Sequence, residues 1–226
     1  IFRYIKMPIL YIVATPIGNL KDITLRALEI LKSVDLILCE DTRVTKKILL
    51  KYEIEKPLWS YHQHSRLNKI EQIIGELSLG KNIALVSDAG TPGISDPGGI
   101  LIQAVYEKLG NDVKIVPIPG ANAAIAALSV SGFPADNFHF LGFPPNKKGR
   151  KTFFEKIAGM KETIVFYESK YRIEKALLEL EKTISIRQMI VCREITKQFE
   201  TIYRGSAGEC LESLRKDKIL GEFVVV

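Results

Sequence analysis

One stretch constrains this chain more than any other: Ser87-Asp88-Ala89-Gly90-Thr91-Pro92-Gly93-Ile94-Ser95-Asp96-Pro97-Gly98-Gly99. Before it runs Ile83-Ala84-Leu85-Val86, which reads as a buried strand. After it runs Ile100-Leu101-Ile102-Gln103-Ala104-Val105-Tyr106, which reads as a helix with Asp96 as N-cap and Pro97 in its first turn. A Gly- and Pro-rich turn between a buried strand and a helix is where an α/β sheet receives its ligand. Gly90, Gly93, Gly98 and Gly99 let backbone approach that ligand closely. Asp88 and Asp96 repel phosphate, so the loop suits sugar hydroxyls, an ammonium or another cation. The alternative is a tight crossover loop with two capping aspartates.

The chain before this loop repeats strand and helix. Residues 10–14 read as a buried strand, ending in the turn cluster Thr15-Pro16-Ile17-Gly18-Asn19-Leu20. Asp22 reads as the cap of a helix that lines up Ile23, Ala27, Leu28 and Leu31. A strand over 34–39 ends in Glu40-Asp41-Thr42-Arg43, and helices over 44–51 and 67–77 follow. Such alternation predicts a mostly parallel sheet with ligand at the carboxyl ends of its strands. The loops at 14–20 and 87–99 then face one crevice. Pro117-Ile118-Pro119-Gly120 marks a change, so the reading is two α/β domains, residues 7–116 and 117–226. Residues 121–131 form a small-residue helix. Its start, Ala121-Asn122, is either a third ligand wall or the end of a helix packed tightly on the sheet. In the second half, residues 199–203 alternate as an antiparallel strand does, and residues 223–226 read as a final strand. The chain stops inside that strand, which leaves a further C-terminal segment open.

Gly142-Phe143-Pro144-Pro145-Asn146-Lys147-Lys148-Gly149-Arg150-Lys151 is basic and carries an aromatic side chain. It reads either as a solvated connection or as an arm gripping phosphates beside stacking groups. The net charge of +6 and pI near 9.1 suit a polyanionic partner without requiring one. No apolar run approaches membrane-spanning length, and residues 1–6 lack a signal-peptide core, with Met7 a natural start. Three widely spaced cysteines, Cys39, Cys192 and Cys210, suit a reducing cytosol, so a cytoplasmic location is expected. His62 and His64 have no third ligand nearby in sequence, and no metal is expected.

Three motifs occur in one order: Val13-Ala14-Thr15-Pro16-Ile17-Gly18-Asn19-Leu20, the central loop, and Pro119-Gly120-Ala121-Asn122-Ala123. Together they resemble the ligand loops of the tetrapyrrole (precorrin/uroporphyrin) methylase superfamily. The central loop is similar to the signature of its ribosomal RNA branch, the small-subunit rRNA (cytidine-2′-O)-methyltransferases. Phe166-Tyr167-Glu168-Ser169 and Arg193-Glu194-Ile195-Thr196-Lys197-Gln198-Phe199-Glu200 resemble that branch too. The resemblance implies two α/β lobes with S-adenosylmethionine between them, a homodimer, and small-subunit rRNA as substrate. It places Pro16, Asp88, Gly90, Thr91, Pro92, Gly93, Ile94, Ser95, Ala121, Asn122, Phe166 and Tyr167 at the cofactor. The first loop departs from the superfamily's usual Gly-x-Gly-Pro-Gly, which weakens a tetrapyrrole substrate. Lys170-Tyr171 stand where the branch often has Pro-His.

A ribose 2′-OH is a weak nucleophile and needs a base. Asp41, Arg43, Asp88, Glu168, Arg193, Glu194 and Lys197 are polar groups near strand ends. Of these, Glu194, Lys197 and Asp88 are the catalytic candidates, with a depressed lysine as base and a carboxylate to orient it. Arg43, Lys147, Lys148, Arg150 and Lys151 are the candidate RNA contacts. Tyr167, Tyr171 and Phe143 are available to stack on an unpaired nucleotide. Two rivals stand beside this reading: a tetrapyrrole C-methyltransferase, and a non-catalytic RNA-binding or assembly protein.

Overall fold

The structure, a computed structural model, describes residues 7–62 and 67–226, and the side chain of residue 67 is not described. His64 lies outside the described residues. The chain divides into two compact units, one ending at Asn122 and one beginning at Ala123.

The first unit contains β1 (Ile9–Val13), α1 (Leu25–Ser33), β2 (Leu36–Cys39), α2 (Thr42–Lys51), β3 (Leu58–Ser60), α3 (Leu67–Ser78), β4 (Ile83–Leu85), α4 (Gly98–Leu109) and β5 (Lys114–Ile118). Its sheet has the order β3-β2-β4-β1-β5, and every pairing is parallel. Strand periodicity decides which core each side chain joins. On β2, Leu36 and Leu38 pack with Ile73, Leu77, Leu101 and Val105 of α3 and α4. Ile37 and Cys39 point the other way, to Ala27, Leu31 and Leu49 of α1 and α2. The edge strand β3 is three residues long, too short for alternation to announce it. Thr24, not Asp22, caps α1: its hydroxyl accepts the Ala27 N–H at 3.1 Å.

The second unit contains α5 (Ala123–Ser131), β6 (Phe138–Phe140), α6 (Arg150–Gly159), β7 (Thr163–Ser169), α7 (Ile173–Ile184), β8 (Met189–Arg193), β9 (Thr201–Gly205), α8 (Ala207–Lys216) and β10 (Glu222–Val225). The sheet order is β6-β7-β10-β8-β9. Only β6 and β7 run parallel; β10 inserts antiparallel between β7 and β8. One face packs on α5 through Leu128 and through Ala124 and Ala127, whose small side chains allow close approach. The other face is covered by α6, α7 and α8.

The division at Asn122 rather than at residue 116 follows from pairing. β5 continues to Ile118, which pairs with Val13. The segment up to Asn122 therefore stays with the first sheet. All three cysteines are buried and free. Burial pushes the Cys192 thiol up to about 12 and that of Cys210 up to about 11.

Candidate functional site

At the carboxyl ends of β1, β4 and β5, three loops of the first unit are tied together by main-chain bonds and threonine hydroxyls. The Thr15 N–H donates to the Gly90 carbonyl at 2.9 Å, and the Gly90 N–H returns the bond at 3.0 Å. The Thr15 hydroxyl, in a residue only 2% exposed, donates to the Ser87 carbonyl at 3.0 Å. The Thr91 hydroxyl reaches the Ala121 carbonyl at 3.1 Å and brings in the third loop. A Cβ on Gly120 would lie 2.8 Å from the Ala14 Cβ, so only glycine permits this approach. Gly90 and Gly93 stand at φ +85° and +86°, in the left-handed region that glycine enters without penalty.

The N-cap position of α4 is Pro97 rather than Asp96, although Asp96 does accept the N–H of the helix's first residue. Its carboxylate accepts the Gly93 N–H at 2.7 Å and the Gly98 N–H at 2.8 Å, closing the central loop on itself. A Cβ on Gly98 would sit 2.8 Å from the Gly93 nitrogen. Ile94 and Ser95 stay exposed at the loop's crest, and Pro16 and Pro92 are buried beneath. The structure thus brings together the first-unit residues expected at the ligand: Pro16, Gly90, Thr91, Gly93, Ala121 and their neighbours.

The surroundings of these loops are acidic. Asp88 Oδ1 accepts the Asp41 N–H at 2.9 Å, and the Asp88 N–H donates to Glu40 Oε1 at 3.4 Å. Burial raises the Glu40 pKa; the hydrogen bond from Asp88 opposes that, and the charges of Asp96 and Asp88 add to it. The nearby cation, Arg43, is paired with Asp41 at 2.6 Å, and its hydrogen bond holds that carboxyl down to about 2. The Arg43 side chain is otherwise on the surface.

In the second unit, Glu194 and Lys197 come together in the turn after β8. Lys197 Nζ lies 2.9 Å from Glu194 Oε1 and 2.9 Å from Glu222 Oε2, and Glu194 Oε1 also accepts the Glu222 N–H at 3.0 Å. Glu194 and Thr196 hold φ of +50° and +66°, an uncommon conformation for residues with side chains. Gly221 makes the arrangement possible, since a Cβ there would collide with the Glu194 carboxyl. Glu222 and Gly221 carry no motif in sequence. Only the insertion of β10 beside β8 places them here.

Charge pairing sets both ionisation states. Burial would raise the Glu194 pKa, but Lys197 and the Glu222 N–H outweigh it and lower it. Burial would lower the Lys197 pKa, but its two carboxylates outweigh it and raise it. The depressed lysine expected from sequence is therefore corrected: Lys197 is held as an ammonium, and Glu194 as a carboxylate.

Two further expectations are overturned. Arg150 is not a surface phosphate contact. It is 4% exposed, with Nε 2.8 Å from Glu179 and Nη1 3.3 Å from Glu168, a carboxylate that also pairs with Arg172 at 2.9 Å. Lys147, Lys148 and Lys151 do remain exposed. The Phe166 side chain points away from Tyr167, as period-two alternation requires, and is buried among Phe153 and Phe154 on the helical face. Tyr167 faces the opposite side, where Phe143, Tyr171, Glu194, Lys197 and Glu222 line a cleft of about 680 Å³.

The family model of the tetrapyrrole (corrin/porphyrin) methylases matches residues 9–211 of this sequence. The chain belongs to that family. Among curated relatives, the Bacillus subtilis (strain 168) protein named ribosomal RNA small subunit methyltransferase I is 47% identical over 221 residues, 97% of this chain and 75% of that one. The Thermotoga maritima protein of the same name is 44% identical over 217 residues, 96% of each chain. Among solved structures, a cobalt precorrin-4 methyltransferase has a TM-score of 0.70 at 17% identity, covering 96% of this chain and 93% of its own. A diphthine synthase has a TM-score of 0.71 at 15% identity, covering 96% and 89%. At those identities the likeness to the two solved structures is one of fold. Among the described residues, no helix is long and apolar enough to cross a membrane.

Proposed function

We infer that this chain is an S-adenosylmethionine-dependent methyltransferase acting on the ribose 2′-oxygen of a cytidine in small-subunit ribosomal RNA. The observation that carries the reading is likeness at 44–47% identity, along nearly the whole chain, to proteins named for small-subunit rRNA methylation. The tetrapyrrole enzymes, by comparison, share the fold at 17% identity.

The first-unit loops fit the cofactor. S-adenosylmethionine carries a sulfonium, an ammonium and hydroxyls but no phosphate, and Glu40, Asp88 and Asp96 make an acidic neighbourhood for it. Gly120 and Gly98 let these loops pack closely, where a Cβ would stand 2.8 Å from the Ala14 Cβ or the Gly93 nitrogen. Pro16, Gly90, Thr91, Pro92, Gly93, Ile94, Ser95, Ala121 and Asn122 would hold it, with Asp88 orienting its cationic end. When bound, the cofactor supplies an electrophilic methyl group.

The chain's own part is positioning and proton removal. Glu194, kept ionised, accepts the proton that leaves the 2′-OH as the oxygen gains its methyl. Lys197 holds that carboxylate in place and offsets the charge of nearby phosphates. Lys147, Lys148, Lys151 and Arg43 contact the RNA backbone, where cations supply sequence-independent affinity. The protein works in the cytoplasm as a homodimer, in keeping with the family resemblance. Small ribosomal subunits lacking the modification, incubated with methyl-labelled cofactor and then digested to nucleosides, test the reading. Label on 2′-O-methylcytidine is expected. Label on a base, or none on RNA, overturns it.

A further inference from the structure

We propose that the cleft of the second unit takes the base of an unpaired nucleotide, stacked between Phe143 and Tyr171 on a preformed wall. The proposal rests on the rRNA reading and names the part of the substrate that this unit grips.

The cleft's volume of about 680 Å³ lies within the range of small-ligand sites. Its floor is rigid. The Tyr167 hydroxyl accepts the Ala124 N–H at 3.1 Å, and its ring meets Phe140 and Phe143 edge-on at 5.0 and 5.4 Å. Tyr167 is thereby committed to support. The two rings left to stack are Phe143, 52% exposed, and Tyr171, 85% exposed. Large exposed aromatic rings at the mouth of a cleft that also carries charged side chains are the platform on which single-stranded bases stack. Lys170 Nζ stands over one face of the Tyr171 ring, 5.0 Å from its centroid, and brings a cation to the mouth of the cleft.

The wall carrying Phe143 is not a loose linker. Arg172 Nη1 donates to the Pro144 carbonyl at 3.0 Å, and Arg150 Nη1 to the Pro145 carbonyl at 3.3 Å. Both guanidinium groups rest on the fully buried Glu168 carboxylate. Two prolines, the buried Arg150 and the partly buried Arg172 fix the loop before any ligand arrives, which lowers the ordering cost of binding. Glu194 and Lys197 line the same cleft, so the stacked base and the proton-accepting carboxylate share one pocket. A paired base cannot enter such a pocket without leaving its helix.

Fluorescence anisotropy with a short single-stranded oligoribonucleotide, and with its duplex, tests this in the intact protein. Phe143→Ala and Tyr171→Ala should each weaken single-strand binding about tenfold, the usual size of a lost base–aromatic stack. Phe143→Trp should retain it, and calorimetric affinity for S-adenosylmethionine should not change. A double variant within about twofold of the parent, or an equal loss on duplex, overturns the proposal while the rRNA reading stands. A parent protein that binds neither RNA removes both. Tyr171 is almost wholly exposed, so its variant reads binding rather than folding.

Discussion

In the first unit, Thr15 and Gly90 are joined through their N–H and carbonyl groups and the Thr91 hydroxyl reaches the Ala121 carbonyl, while glycines admit the close approaches. In the second, the cleft is framed by charged side chains reaching across strands: Lys197 between Glu194 and Glu222, and Glu168 between Arg150 and Arg172. The difference is one of how error propagates. A backbone-built cradle fails when a single atom is added. A side-chain-built cleft fails when a partner is removed, because a charge is then left unpaired.

The largest effect tests the second design. Arg150→Ala leaves Glu168, whose side chain is fully buried, short of one cation. Truncating one partner of such a network costs about 3–5 kcal/mol, so the urea midpoint should fall sharply. Lys151→Ala, one residue further along and exposed, should stay within about 0.5 kcal/mol of the parent. Equal effects would erase the distinction between buried and surface basic residues in this segment.

Next in size is the added atom in the first design. Gly98→Ala places a methyl carbon 2.8 Å from the Gly93 nitrogen. Overpacking of this kind costs about 1–3 kcal/mol. If the loop carries that cost, S-adenosylmethionine affinity falls about tenfold or more, while oligonucleotide affinity is kept. Calorimetry with both ligands reads the two effects separately.

A smaller effect concerns pH. Glu194 is ionised above its lowered pKa and loses that charge as pH falls through it. Lys197→Met removes the cation that lowers it and leaves burial, which raises it. The acidic limb of the kcat profile should therefore move to higher pH. A limb that stays in place would remove Glu194 from the role of proton acceptor. The smallest effect is at the surface. Lys147→Ala with Lys148→Ala should flatten the salt dependence of single-strand binding by about 0.7 per lysine in the log–log slope. Cofactor affinity should be unchanged.

Much of the first site could be read from residue types alone. Glycine at Gly90 and Gly93 and proline at Pro92 and Pro97 act locally, so their order along the chain already described a tight ligand loop. Strand β2 was legible because both of its faces are buried, leaving an unbroken apolar run. Arg150 shows the limit. In sequence it stands beside Lys147, Lys148 and Lys151 as one more basic residue. Its two carboxylates come from β7 and α7, 18 and 29 residues away, and no local pattern joins them. Phe166 and Tyr167 show the same limit on a smaller scale, since adjacent residues of a strand face opposite ways and the assembled sheet decides which face meets the cleft.

By itself, then, the order of glycines, prolines and apolar runs determined the strand–loop–helix units, the parallel first sheet and the place of the loops proposed to hold its ligand. These depend on backbone freedom and periodicity, which neighbouring residues set. The pairing of Lys197 with Glu222 and the placing of Gly221 beneath Glu194 were decided only when β10, among the last residues of the chain, inserted between β7 and β8, and the burial of Arg150 only when β7 and α7 brought Glu168 and Glu179 to it. Charge pairing acts through space over a few ångströms, and only tertiary structure brings such distant residues within that reach.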